Sequence, residues 1–208
     1  MTKVLVLTSS VSKEQSVSTQ LVQGALAALR RHVPEAKVTE RDLGLEPLPH
    51  LTPDLALALN AAPTNKAERA ARALSDHLVK EVQAADVLLI AAPMYNFGIP
   101  STLKAWFDHV LRSGITFRYD PDGQKGLLTG KRAIVVSTRG GYYGDAAGKL
   151  ADSLEPHLKT LLGFVGITDV IFVRAEKLAF GPEERARAIS AAQAELEALV
   201  TRGSFTPA

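Results

Sequence analysis

The chain contains no cysteine, which excludes disulfides, thiolate nucleophiles, thiol–disulfide exchange and any metal or cluster site built on cysteine. A cytoplasmic setting is the expectation. Excess charge is also lacking: 24 Lys and Arg stand against 22 Asp and Glu, and a net charge of +2 gives no basis for electrostatic capture of nucleic acid. No apolar run approaches the roughly 18 residues of a membrane span, so no membrane partner is expected. The opening "MTKVLVLTSS" places one Lys before a strand-like stretch far shorter than the apolar core of a secretion signal. Neither G-x-G-x-x-G nor G-x-x-x-x-G-K-[ST] occurs, so a dinucleotide fingerprint and a triphosphate loop are both missing. A G-x-S-x-G nucleophile elbow is missing too, which argues against a hydrolase of that type. The five histidines are scattered with no carboxylate cluster beside them, and no metal is expected.

What is present is a regular alternation of buried strands and amphipathic helices. "KVLVLT" (3–8), "DVLLIAA" (86–92) and "KRAIVVST" (131–138) are short apolar runs suited to strands buried on both faces. "KVTERDL" (37–43) alternates weakly, and "ITDVIFV" (167–173) supplies a fifth strand. Helical spacing of apolar residues predicts helices over 17–32, 66–84, about 100–110 and 182–200, with a short one near 52–61. A further helix is expected through Leu150, Leu154, Leu158, Leu161 and Leu162. The glycine-bearing segment 114–129 shows no sustained period and reads as a long loop, and the tail "RGSFTPA" reads as frayed. Five strands joined by helix-length crossovers imply a parallel sheet with helices on both faces, and 208 residues without an evident linker imply a single α/β domain over 1–208.

In such a sheet, ligands bind beyond the carboxyl ends of the strands, and three unusual segments follow strands here. "SSVSKEQSVS" (9–18) is rich in hydroxyls and leads into a helix whose first backbone N–H groups are unpaired, a combination that suits a phosphate. "PMYNFG" (93–98) offers an apolar, aromatic surface edged by an amide, and "TRGG" (138–141) brings two glycines without Cβ atoms, over which a planar ring can lie closely. Phosphate donors beside a polar-edged apolar slot describe a mononucleotide with a large heterocycle, and FMN has that shape.

"APMYNF", "SGITFRY", "TRGG" and "VGITDV" resemble the corresponding segments of the FMN-dependent NAD(P)H azoreductases, also described as quinone reductases, of the flavodoxin-like superfamily. The resemblance covers nearly the whole chain. It implies a doubly wound five-stranded sheet of order 2-1-3-4-5, an FMN cofactor, and NADH or NADPH as electron donor. It further implies a homodimer acting on small quinone or azo substrates by a two-electron ping-pong cycle. For the cofactor it implies Ser10, Ser16, Val17 and Ser18 around the phosphate, Met94, Tyr95, Asn96 and Phe97 around the flavin, and Thr138, Arg139, Gly140 and Gly141 along its other edge. No protein side chain is expected to be catalytic, because the flavin carries the chemistry. Tyr142 and Tyr143, where the pattern departs modestly, are expected in the substrate pocket together with Phe117 and Tyr119, which flank Arg118 at alternating positions. The rival reading from another class is a flavodoxin-type electron carrier. Such a carrier would be expected to show a strongly acidic face, which the charge balance does not supply.

Overall fold

The computed structural model describes residues 1–12 and 15–205, so Lys13 and Glu14 of the serine-rich segment and the last three residues of the tail lie outside the described residues. Along the chain run β1 (Lys3–Thr8), α1 (Val17–His32), β2 (Lys37–Asp42), α2 (Pro53–Asn60), α3 (Lys66–Ala84), β3 (Val87–Pro93) and α4 (Ser101–Val110). There follow β4 (Phe117–Asp120), β5 (Gly123–Gly126), β6 (Arg132–Thr138), α5 (Ala146–Ala151), α6 (Leu154–Phe164), β7 (Asp169–Ala175) and α7 (Pro182–Thr201). The five long strands pair in parallel in the order β2-β1-β3-β6-β7, which is the expected 2-1-3-4-5 once the strands of this sheet are counted alone.

Strand periodicity divides the core in two. Val4, Val6, Leu89, Ile134 and Val136 face one side and pack against Leu21, Leu26 and Leu196 of α1 and α7. Leu5, Leu88, Ile90 and Val135 face the other and meet Leu78, Trp106, Leu158 and Leu162 of α3, α4 and α6. Side chains of the three inner strands are therefore buried on both faces, and burying each such side chain contributes about 1.5–3 kcal/mol. β2 stands at the sheet edge with Lys37, Glu40, Arg41 and Asp42 along it, charges that oppose pairing with another strand.

Three expectations need correction. The segment 114–129 holds a two-stranded antiparallel hairpin, Phe117 opposite Gly126 and Asp120 opposite Gly123, rather than an unstructured loop. Its base docks where a Cβ on Gly126 would come within 2.1 Å of the Gly166 nitrogen, so only glycine permits this backbone contact. The helix expected through Leu150 to Leu162 is two helices: Asp152 Oδ1 accepts from the backbone N–H of Leu154 and Glu155 and starts α6 afresh, leaving Leu150 91% exposed. The tail is anchored as far as Phe205, which is buried against the α1 and α7 side of the core, and Arg132 Nη1 donates to the Ser204 carbonyl.

One buried group makes stability depend on pH. His109 on α4 is 1% exposed, its Nε2–H donates to the Pro49 carbonyl at 3.0 Å, and its Nδ1 has no partner. Burial pushes its pKa below the ordinary imidazole value, and Arg112 adds to this, against the Pro49 carbonyl and Asp108. The unfolded chain thus binds this proton more readily, so the contribution is complete above about pH 6.5 and is lost as pH falls below that. Unfolding midpoints in urea should decline from about pH 7.5 to about pH 5, and His109→Gln should flatten that slope. An identical slope in the variant would contradict the assignment.

Candidate functional site

The sheet brings three loops side by side at its carboxyl end. Thr8 pairs with Ala91 and Pro93 with Thr138, so the segments after β1, β3 and β6 leave from one edge. β1 has β2 on one side and β3 on the other, which makes the end of β1 the point where strand order reverses.

After β1 the chain is pinned from both sides. The Ser9 hydroxyl, fully buried, donates to the Ala91 carbonyl at 2.7 Å, and Thr102 Oγ1 of α4 donates to the Ser9 carbonyl at 3.1 Å. Ser10 then turns toward β3, where its Oγ lies 3.0 Å from the Tyr95 hydroxyl. Tyr95 Oη also accepts from the Val11 N–H at 3.2 Å and lies 3.4 Å from Ser12 Oγ. Burial works to raise the Tyr95 phenol pKa, but the bonds from Ser10, Ser12 and Val11 together outweigh it and hold it below the ordinary phenol value. Tyr95 is therefore a clasp between two loops that sequence spacing showed only as neighbours. Further on, Ser16 caps α1, accepting from Thr19 N–H at 3.2 Å and Thr19 Oγ1 at 2.9 Å, with the buried Ser18 Oγ 3.2 Å behind it. No acidic residue stands in the first turn of α1, so its unpaired N–H groups present an uncancelled positive end.

After β3 comes a tight turn in which Tyr95 N–H donates to the Gly98 carbonyl and Gly98 N–H to the Tyr95 carbonyl, at 3.0 and 3.1 Å. The two residues between them have positive φ, 48° at Asn96 and 72° at Phe97. Asn tolerates that conformation, but for Phe it costs on the order of 1–3 kcal/mol. The turn leaves Phe97 55% exposed, and the N–H groups of Asn96 and Phe97 have no partner among the described residues.

After β6 the carbonyls of Arg139, Gly140 and Gly141 accept from the N–H groups of Leu178, Ala179 and Lys177. This turns the Gly140 and Gly141 N–H groups away from that loop, and neither has a partner among the described residues. A Cβ on Gly140 would meet nothing closer than Ala179 at 3.6 Å, so no neighbour within the chain requires glycine there. The Arg139 side chain, 2% exposed, points inward: its guanidinium contacts Glu155 at 2.6 Å, Asp152 at 3.0 Å and Glu176 at 3.2 Å. Arg174 completes the network with two bonds to Glu155. Tyr143 lies with its ring centroid 5.3 Å from Arg139 and its N–H on Glu176, while Tyr142 has Lys177 at 4.9 Å over its ring.

Between the three loops is a cleft of about 180 Å³ whose lining includes Ser10, Ser16, Val17, Met94, Tyr95 and Thr138. Arg139 and Gly140 also line it. Of the remaining residues expected at the cofactor, Ser18 sits behind Ser16, while Asn96, Phe97 and Gly141 stand on the loops bordering the cleft. Phe117 and Tyr119 do not line it. Their rings contact one another at 5.8 Å and Phe117 packs on Phe164 at 4.6 Å, whereas Trp106 and Phe107 form their own buried pair. Ser12, one of the hydroxyls of the 9–18 segment, also lines the cleft, as do Gln15, Leu178 and Arg185, to which the sequence assigned no role. The signal for Leu178 was the loop after the fifth strand, which leaves the same sheet edge as the other three. Among the described residues there is no group of three or more His, Asp or Glu side chains placed to hold a metal ion, and no helix long and apolar enough to cross a membrane.

Comparison with known proteins agrees with this architecture. A family described by its flavodoxin-like fold matches residues 2–200. The chain is 48% identical over 196 residues to an FMN-dependent NADH:quinone oxidoreductase of Hyphomonas neptunium, covering 94% of each chain. It is likewise 48% identical over 198 residues to an FMN-dependent NADH:quinone oxidoreductase of Azotobacter vinelandii, covering 94% of this chain and 98% of that one. Among solved structures, an azoreductase from Bacillus anthracis superposes with a TM-score of 0.89 at 28% identity, over 97% of this chain and 100% of that chain.

Proposed function

We infer what this chain does from the family to which it belongs, the FMN-dependent NADH:quinone oxidoreductases and azoreductases of the flavodoxin-like superfamily. It is an FMN-dependent NAD(P)H oxidoreductase acting on quinones and azo compounds. The observation that carries this reading is the cleft at the strand-order reversal, lined by an acid-free helix start, three serines and Gly140, and bordered by the loops that carry the unpartnered backbone N–H groups of Asn96, Phe97 and Gly141. When bound, FMN supplies two-electron chemistry, accepting a hydride from a reduced nicotinamide and passing the electrons to the acceptor.

The residues present fit that group. Ser10, Ser16, Val17 and Ser18 would hold the phosphate, the hydroxyls donating and the α1 terminus supplying positive potential. Met94, Tyr95, Asn96 and Phe97 would hold the ring on one side and Thr138, Arg139, Gly140 and Gly141 on the other. Arg139 acts there through its backbone, since its guanidinium is engaged by three carboxylates. At about 180 Å³ the cleft is smaller than the roughly 300 Å³ at which complete ligand pockets begin. That volume suits the phosphate and ribityl end, with the heterocycle toward Phe97 and Tyr142, whose exposed rings a planar ligand would cover.

The finer reading is a cytoplasmic homodimer. Tyr119 is 71% exposed on its hairpin and does not line the cleft beside the serine loop, which supports a role against a second copy. There Phe117 and Tyr119, with Tyr142 and Tyr143 of the glycine loop, would shape the acceptor pocket. Initial rates measured over a grid of NADH and quinone concentrations should give parallel double-reciprocal lines, because donor and acceptor would use one slot in turn. Intersecting lines would sink the shared-slot reading.

The Tyr95 clasp gives a second test. Tyr95→Phe removes the hydroxyl that holds Ser10 and the Val11 N–H in place, so FMN affinity should fall by about tenfold, the effect of one to two hydrogen bonds. Titration of apoprotein by flavin fluorescence quenching checks this. Wild-type affinity in the variant would show that the loops hold their arrangement without the clasp.

A further inference from the structure

We propose that Arg185 is a cofactor-binding residue, the counter-charge to the FMN phosphate, an assignment that rests on the FMN reading above. A phosphate monoester carries about −1.5 to −2 charges at neutral pH. Against this the described residues of the serine loop offer neutral hydroxyls, and the start of α1 offers the equivalent of about half a positive charge. The ionic network under the glycine loop does not help: Arg139 and Arg174 provide two positive charges, Asp152, Glu155 and Glu176 three negative ones, for a net of −1. A phosphate held by the sequence-assigned residues alone would face a local excess of negative charge.

Two arginines line the cleft, Arg139 and Arg185. Arg139 is already engaged. Arg185 reaches the cleft from the start of α7, where its backbone N–H donates to the Gly181 carbonyl at 3.0 Å and so fixes its Cα. Among the described residues its guanidinium has neither an ion-pair nor a hydrogen-bond partner, whereas Arg187 one half-turn on pairs with Glu184 at 2.9 Å. A long, exposed, unpaired arginine lining the same cleft as Ser16 and Gln15 can close over an anion there, and its planar fork matches two phosphate oxygens. Nothing in the serine or glycine motifs points to it. It stands on the last helix, about 170 residues from the serines, and only the fold brings it to the same cleft.

The test compares FMN with riboflavin, which lacks the phosphate, in titrations of wild-type, Arg185→Gln and Arg185→Lys apoprotein. Arg185→Gln should weaken FMN about 10- to 100-fold, as for a lost charged hydrogen bond or pair, while riboflavin affinity stays within about twofold. Arg185→Lys should recover part of the loss, because the charge returns without the fork. The salt dependence of FMN binding should also be shallower in Arg185→Gln than in the wild type. Riboflavin serves as the folding control. A wild type that prefers FMN over riboflavin while Arg185→Gln retains full FMN affinity would overturn the assignment and leave the FMN reading intact. Equal loss of both flavins, or unchanged FMN affinity with a raised KM for NADH, would overturn it as well. A wild type that binds neither flavin would remove the FMN reading itself, and this proposal with it.

Discussion

Replacing Arg139 by Met should cost the fold about 3–5 kcal/mol, the cost typical of removing one partner from a buried ionic network. Arg139 is 2% exposed and contacts three carboxylates, of which Glu155 at 8% and Asp152 at 10% side-chain exposure have little access to water. Met fills similar space but leaves those carboxylates with Arg174 as their remaining cation, and Arg174 reaches Glu155 alone. The effect should extend to the site. Glu176 binds both Arg139 and the Tyr143 N–H, and Asp152 both Arg139 and the start of α6, so the glycine loop loses two attachments together. Urea unfolding, with FMN titration of the folded fraction, checks both parts. A loss under about 1 kcal/mol would mean the carboxylates are solvated in the variant, and the loop does not depend on the network.

The second large effect is expected at Gly44, which no motif singled out. β2 ends at Asp42, whose Oδ1 accepts from the N–H groups of Gly44 and Leu45 and folds the chain back over the serine loop. A Cβ on Gly44 would lie 2.0 Å from the Ser10 carbonyl oxygen and 2.9 Å from its carbon, both backbone atoms that no rotamer change can move aside. Gly44→Ala should therefore displace Ser10, costing about 2–3 kcal/mol and weakening FMN by at least about tenfold. Gly163→Ala in α6, away from the cleft, is the control, since a Cβ there meets nothing within 4 Å. Gly44→Ala with wild-type stability and FMN affinity would show that the turn after β2 yields instead.

Much of the fold was legible because its strands are apolar on both faces. β1, β3 and β6 are continuous hydrophobic runs, and the helices between them repeat at the right period. The hairpin was not legible: its strands are four residues long, two of its eight residues are glycine, and its docking depends on Gly166, forty residues away. The break between α5 and α6 rests on Asp152 accepting two N–H groups, a preference that the surrounding leucines concealed. At the site, the serines, the Met94–Phe97 turn and the two glycines could be found by position, because each follows a buried strand. Their mutual attachments could not. The Tyr95 bond to Ser10 spans 85 residues, and the inward turn of Arg139 is decided by acids on α6 and after β7. The strain at Phe97 likewise follows from a turn that the dipeptide Asn-Phe does not announce.

The most direct test of the central claim is anaerobic stopped-flow mixing of the FMN-reconstituted protein, first with NADH or NADPH and then with a quinone. The oxidised-flavin absorbance should fall rapidly with the nicotinamide and return in full, one quinone reduced per flavin, on the second mixing. Protein that takes up FMN but keeps its oxidised absorbance with both NADH and NADPH would contradict the claim.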